Sequence, residues 1–354
     1  MSLLFSPLTL RSVTLPNRVA VSPMCQYSST DGLPDTWHLV HLGSRAVGGA
    51  GLVLVEATAI EAIGRISPDD TGIWSAAHVE AWRPITEFIK AQGSVPGIQL
   101  AHAGRKASSY SPFGGGRHGV PDSDGGWTPV GPTDVPFIPE YRTPQALSTA
   151  EVETLVETFA QAARNAVEAG FEVVEVHAAH GYLLHQFVSP LSNTRTDAYG
   201  GDFAGRVRFP LEVTRAVRAA VGEDVPVLVR VSATDWTDGG LTVDDSAEFA
   251  RALKEAGADL IDVSTGGNAA YAKIETGPGY QVPFADAIRR KAEVATGAVG
   301  EITDPHQAER ILEDGSADLV LLARELLRDP YWPLRAAAAL GADVTPPIQY
   351  ARAF

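Results

Sequence analysis

The sequence predicts an α/β protein, a single (β/α)8 TIM barrel, and three observations lead there. Short β-branched runs recur at eight places, each followed by a longer stretch that reads as an amphipathic helix. The interiors of these runs, GLVLVEA, VPVLVRV and DLVLLA, are nearly continuous apolar rather than alternating, as parallel strands covered on both faces require. No G-x-G-x-x-G turn follows the first run, so the usual mark of a doubly wound sheet is missing.

In chain order, a lead-in segment precedes the first predicted strand, Arg18–Ser22, and Leu52–Ala57 and Val95–Ala101 follow. A loop excursion then occupies 107–147. Within it, from Ser111 to Pro144, seven Gly and seven Pro in 34 residues are too many breakers for a helix or strand. It reads either as a solvated decoration or as a lid over the active-site rim. Ser148 is the predicted N-cap of the next helix, with Glu151 as its capping-box partner and Gly170 as the stop. Strands four to six are predicted at Glu172–His177, Val225–Val231 and Leu260–Ser264, and strand seven at Ala298–Ile302. Asp304–Pro305 opens a helix ending near Gly315, strand eight is Asp318–Ala323, and a tail without regular structure runs over 341–354. Residues 1–354 are expected to form one domain, since barrels of ~250 residues absorb insertions of this size.

Composition excludes several function classes. With 45% apolar and 20% charged residues, and 34 Gly and 24 Pro, the chain is globular in composition. Its 28 basic and 43 acidic residues give a net charge of −15, which argues against a nucleic-acid partner. Cys25 is the only cysteine, so an intrachain disulfide and any cysteine-based zinc or iron–sulfur framework are excluded. The first residues lack a basic leader region, and no uncharged apolar run approaches the ~18 residues of a membrane span. A cytoplasmic protein with no membrane partner is the expectation.

Catalytic groups of such a barrel belong at the C-terminal ends of its strands. There lie Met24, Cys25, Gln26 and Tyr27 after strand one, Gln99, His102, Arg105 and Lys106 at strand three, and His177, His180 and Tyr182 at strand four. Two imidazoles three residues apart can converge on one ligand atom. They read as metal ligands, as structural histidines, or as donors to an anionic or carbonyl oxygen; the donor reading is preferred, with Tyr182 as a proton donor. Arg230, inside an apolar run, needs an anionic partner: a carboxylate such as Asp262, or a delocalised anionic ligand. Gly297–Gly300 and Arg324 stand where barrels of this kind commonly hold a phosphate.

SPMCQYS (Ser22–Ser28), GIQLAHAGRK (Gly97–Lys106), HAAHGYLLHQFVSPLSNTRTDAYGG (His177–Gly201), ATGAVG (Ala295–Gly300) and ARELLRDP (Ala323–Pro330) together resemble the Old Yellow Enzyme family of FMN-dependent ene-reductases. Cys25 and His180 match its bacterial thermophilic-like branch of NADPH dehydrogenases and xenobiotic reductases. The resemblance implies tightly bound, non-covalent FMN reduced by NADPH or NADH, and an activated alkene as oxidant in a ping-pong cycle. It places Ser22, Pro23, Met24, Cys25, Ala59 and Gln99 on the flavin, Arg230 at its N1/C2 end, and Gly300, Ala323 and Arg324 on the phosphate. It implies that His177 and His180 bind the substrate carbonyl oxygen, that Tyr182 protonates the α-carbon, that Tyr27 contacts the ligand and that Cys25 tunes the flavin. It also implies a homodimer or dimer of dimers, in which Arg352 of the tail reaches a neighbouring site. A metal-dependent barrel hydrolase or aldolase, or a flavin-binding protein without turnover, is the rival expectation.

Overall fold

Eight parallel strands close on themselves: β1 (Val19–Val21), β2 (Leu52–Ala59), β3 (Val95–Ala101), β4 (Val173–Ala178), β5 (Val227–Ser232), β6 (Leu260–Ser264), β7 (Ala295–Ala298) and β8 (Leu319–Leu322). Each pairs with its sequence neighbours, and β8 pairs back onto β1, so the sheet is a TIM barrel without an edge. The structure, a computed structural model, describes residues 2–114, 116 and 118–353.

Period-two alternation divides each strand between two environments. Outward residues such as Val174, Val176, Val229, Val231, Ile261 and Val263 pack against the helices. Inward residues at the lower end, Leu52, Val95, Val173, Leu228, Leu260 and Leu319, form a separate apolar cluster. Each such side chain contributes about 1.5–3 kcal/mol through burial. An N-terminal hairpin, Leu8–Leu10 against Val13–Leu15, adds Leu10 and Leu15 to that cluster and plugs the barrel from below. The two residues above each apolar one turn polar: β4 sends in Val173, Glu175 and His177, β5 Leu228, Arg230 and Ser232, and β6 Leu260, Asp262 and Ser264.

The helices are α1 (Thr36–Val47), α2 (Ala76–Ala91), α3 (Thr149–Glu168), α4 (Leu183–Val188), α5 (Phe203–Val221), α6 (Val243–Glu255), α7 (Val282–Ala292), α8 (Pro305–Glu313), α9 (Arg324–Arg328) and α10 (Trp332–Leu340). The capping box at Ser148 is formed with Glu151, and Asp304 caps α8. Glu309 on α8 also accepts hydrogen bonds from Ser2 Oγ and from the Leu3 and Leu4 backbone N–H groups, which latches the N-terminus to the barrel.

Three expectations need correction. Strand seven is Ala295–Ala298, not Ala298–Ile302. The β-branched Val299 and Ile302 drew the assignment forward, but Gly300 at φ 129° and Glu301 at φ 50° turn the chain there. Gly297 belongs inside the strand because a Cβ would lie 2.5 Å from Leu321 Cδ1, which fills the barrel at that point. The excursion contains regular structure after all: Val130–Gly131 pairs with Gln145–Ala146, and Asp122–Asp124 forms a 3-10 turn. Both are too short for a composition of Gly and Pro to forbid. The tail likewise holds a 3-10 turn at Ile348–Tyr350, docked through Tyr350 against Tyr331, their rings 5.8 Å apart.

Candidate active site

β4 ends in a turn that needs a left-handed backbone at two successive residues. His180 adopts φ 59° and Gly181 φ 71°, and a Cβ on Gly181 would lie 2.3 Å from the Gly267 carbonyl oxygen. The β4 and β6 loops can therefore touch. A left-handed conformation is strained for histidine, and its neighbours hold it there. The His180 N–H donates to Ser232 Oγ at 2.9 Å, and its carbonyl accepts from Lys106 Nζ at 2.8 Å.

The turn brings three predicted residues together. The His177 and His180 rings are 5.2 Å apart and nearly perpendicular, and the Tyr182 ring lies 5.1 Å from His177. His177 Nδ1 is buried without a hydrogen-bond partner among the described residues, while His180 Nε2 meets Ser264 Oγ at 2.7 Å. Ser264 Oγ in turn donates to Gln281 Oε1 at 3.2 Å, so Nε2 carries the proton on His180. Burial, then the charge of nearby cations, pushes both imidazoles well below their ordinary range, which keeps them neutral. Burial pushes Tyr182 well up, so its hydroxyl keeps its proton. Lys106 Nζ sits 4.8 Å above the Tyr182 ring and 4.6 Å from the ring of Phe137, which the excursion folds back onto the rim.

A cleft of about 530 Å³ opens beside this cluster. Of the predicted residues, Ser22, Pro23, His180, Arg230, Gly300, Ala323 and Arg324 line it; Ser264, Tyr280, Gln281 and Glu301 are among the others in its wall. Arg230 stands at its deep end, 2.7 Å from Asp262 and donating to Ser22 Oγ at 2.7 Å, so the carboxylate partner is present and the guanidinium still faces the cleft. Gly300 and Arg324, the latter 3.3 Å from Glu301, lie at the open end.

The remaining predicted residues are dispersed around this cleft. Gln99 lies inside the barrel rather than at the strand end, donating to Glu175 at 2.7 Å. Ala59 and Tyr182 line a smaller cavity with Asp70. Met24 packs against the core, and Tyr27, at φ 51°, stands edge-on to Phe113 of the excursion, ring centroids 5.7 Å apart. Gln26 N–H donates to Glu56, whose other oxygen is 3.2 Å from His38 Nε2, and this pins the loop carrying Cys25. Desolvation, then Asp70 and Glu56, pushes the Cys25 thiol well above its ordinary range; it is not a thiolate nucleophile. Arg352 is exposed and lines neither cavity. Glu175, Ser232, Ser264, Gln281 and Glu301 escaped the sequence reading. The first three sit two residues from a recognised polar position on their own strands, a signal that the apolar neighbours masked.

The volume is that of a small-molecule cofactor site, and its polarity runs from a buried cation to a solvent-facing one. A planar group with polar edges and a terminal phosphate fits such a cleft. Fold and site together define an α/β barrel with a small-molecule cleft at the C-terminal ends of its strands. Residues 3–342 match the NADH:flavin oxidoreductase / NADH oxidase family, and the chain belongs to it. An NADPH dehydrogenase of Geobacillus sp. (strain WCH70) is 49% identical over 99% of this chain and 98% of its own. That of Bacillus subtilis (strain 168) is 47% identical over 99% and 98%. A morphinone reductase variant solved in complex with tetrahydroNAD superposes with a TM-score of 0.80 at 30% identity, over 98% of this chain and 93% of that one. The protein is thus an Old Yellow Enzyme-type, FMN-dependent NAD(P)H oxidoreductase. Family membership displaces the metal-dependent hydrolase or aldolase reading.

Proposed function

We propose that the enzyme is an ene-reductase that saturates the C=C bond of α,β-unsaturated carbonyl compounds and related activated alkenes. One observation carries this reading: the buried His177 Nδ1 has no partner among the described residues, and the His180 and Tyr182 rings lie 5.2 and 5.1 Å from the His177 ring. FMN, when bound, takes a hydride from NADPH or NADH and supplies it to the alkene.

The chain's own residues account for the rest. Arg230 and Ser22 would hold the ring end of the cofactor, and Gly300, Ala323 and Arg324 its phosphate. His177 and His180, neutral donors in a buried site, would hydrogen-bond the substrate carbonyl oxygen, a ligand oxygen replacing Ser264 as acceptor from His180. As negative charge grows on that oxygen, both bonds strengthen, and this lowers the barrier to β-carbon reduction. Tyr182 would deliver the proton to the α-carbon. Cys25, held as a thiol, would adjust the flavin rather than attack substrate.

The excursion, packed over Lys106 through Phe137, acts in this reading as a lid. A second copy of the chain would receive the tail: Ile348 on the docked turn and Arg352 just beyond it are exposed. The function is tested anaerobically. NADPH should bleach the flavin, 2-cyclohexenone should restore its colour with cyclohexanone as product; colour restored by oxygen alone would sink the assignment.

A further inference from the structure

Midway up the barrel, β3 to β6 contribute one inward polar residue each to a buried polar layer two registers deep: Gln99 and Glu175 and, level with His177, Arg230 and Asp262. Gln99 and Glu175 are register partners, as are Arg230 and Asp262. Both carboxyls have no solvent exposure. Glu175 Oε1 accepts from Gln99 Nε2 at 2.7 Å, and Asp262 Oδ2 lies 2.7 Å from Arg230 Nε. Among the described residues that leaves Glu175 Oε2 and Asp262 Oδ1 with no donor, and the two carboxyls lie within hydrogen-bonding reach of each other. Two ionised carboxylates cannot face one another in a dry interior, because their oxygens only accept. One proton between them turns the repulsion into an O–H···O⁻ bond.

We propose that Glu175 is a positioning residue of the cofactor site: it holds that proton and donates it to Asp262, so that Arg230 is balanced by one carboxylate rather than opposed by two. The assignment to Glu175 follows from the partners. Asp262 has the guanidinium, which favours its ionised form, whereas Glu175 has only the neutral amide of Gln99. Burial, then the Asp262 charge, pushes Glu175 up to about 8.

The other groups facing the layer are His177, kept neutral by burial on the same strand, and the neutral Ser22 above Arg230. The layer is therefore uncharged when Glu175 is protonated and singly negative when it is not. A negative layer beneath the ring end of the cleft would oppose any gain of electrons by a bound flavin. The inference rests on FMN occupying the cleft and not on which alkene is reduced.

The test uses the holoenzyme. Infrared spectra of the wild type at neutral pH should contain a protonated carboxyl C=O band that Glu175→Gln removes. The FMN midpoint potential, followed against pH, should drop away near pH 8 in the wild type as Glu175 ionises, and Glu175→Gln should lack that break while matching the wild type below it. Asp262→Asn should raise the potential by leaving Arg230 unbalanced. A wild-type spectrum without the band overturns the proposal, and so does a Glu175→Gln potential raised at neutral pH. These two measurements decide it even if Asp262→Asn fails to fold or to hold FMN.

Discussion

In the proposed reaction Tyr182 and the two histidines act at the scale of single atoms, and their contributions are separable. Tyr182→Phe removes one hydroxyl from a residue whose backbone also starts α4, so the fold should survive. Flavin reduction by NADPH should be nearly unchanged, while reoxidation by an enone slows by roughly 10²–10⁴ in stopped-flow experiments. An unaltered rate of reoxidation would take Tyr182 out of the chemistry. The histidines are read with para-substituted phenols, whose phenolate oxygen offers the same charge-assisted hydrogen bonds as a developing enolate. The long-wavelength band expected on phenol addition should fade in His177→Ala with His180→Ala; the wild-type band in the double variant would misplace both. His177, His180 and Tyr182 were legible as a cluster in the sequence because His-Ala-Ala-His-Gly-Tyr closes a strand and turns at Gly181, which gathers their side chains at the strand end. Glu175 was not, because one acid inside Val-Val-Glu-Val reads as an interruption until the opposite strands are aligned.

Elements set where charge is tolerated. The turn Ile66–Asp70 encloses Asp70, which accepts from Ser67 Oγ at 2.7 Å and from the Ile66 N–H at 2.9 Å and is nevertheless pushed up to about 7, chiefly by burial. Its native-state pKa lies above its unfolded value, so the folded protein binds this proton more tightly. Stability from Asp70 is whole below about pH 4 and is lost as pH rises to about 7, by at most about 4 kcal/mol. The difference in melting temperature between Asp70→Asn and wild type should grow in favour of the variant across that window and be flat above it. A difference independent of pH would mean that Asp70 ionises normally. At the β7–β8 end, Arg324 is exposed and shares Glu301, so its contribution is moderate: Arg324→Ala should weaken FMN binding roughly tenfold and leave riboflavin binding unchanged. Equal losses for both ligands would remove Arg324 from the phosphate. Strand seven shows why the element was misjudged in sequence. β-branching marks a strand only where side chains have room, and here the barrel needed the absence of one, at Gly297.

For the whole molecule, the tail is the feature that one chain does not explain. Deleting residues 348–354, or making Arg352→Ala, should raise KM for NADPH or enone with FMN still bound, and the deletion should shift the sedimentation of the oligomer. A tail-less enzyme with the same oligomeric state and the same constants would return the tail to a subunit of its own. The strands of the barrel were readable because both faces are buried and their residue choice is severe; the tail carries no such pattern.

Closure of the barrel has a consequence for how the chain is made. β1 gains its second neighbour only when Leu319–Leu322 arrives, some three hundred residues later, and the Glu309 latch on the first residues waits almost as long. Until then a growing chain carries an unclosed curved sheet with two open, apolar margins and, between β4 and β6, an acid that has not yet met Asp262. Such margins invite pairing with other nascent chains. Synthesis of this enzyme is therefore a race between the ribosome and its neighbours, decided in the last tenth of the sequence, and slowing translation after β6 should cost soluble protein more than slowing it before β4.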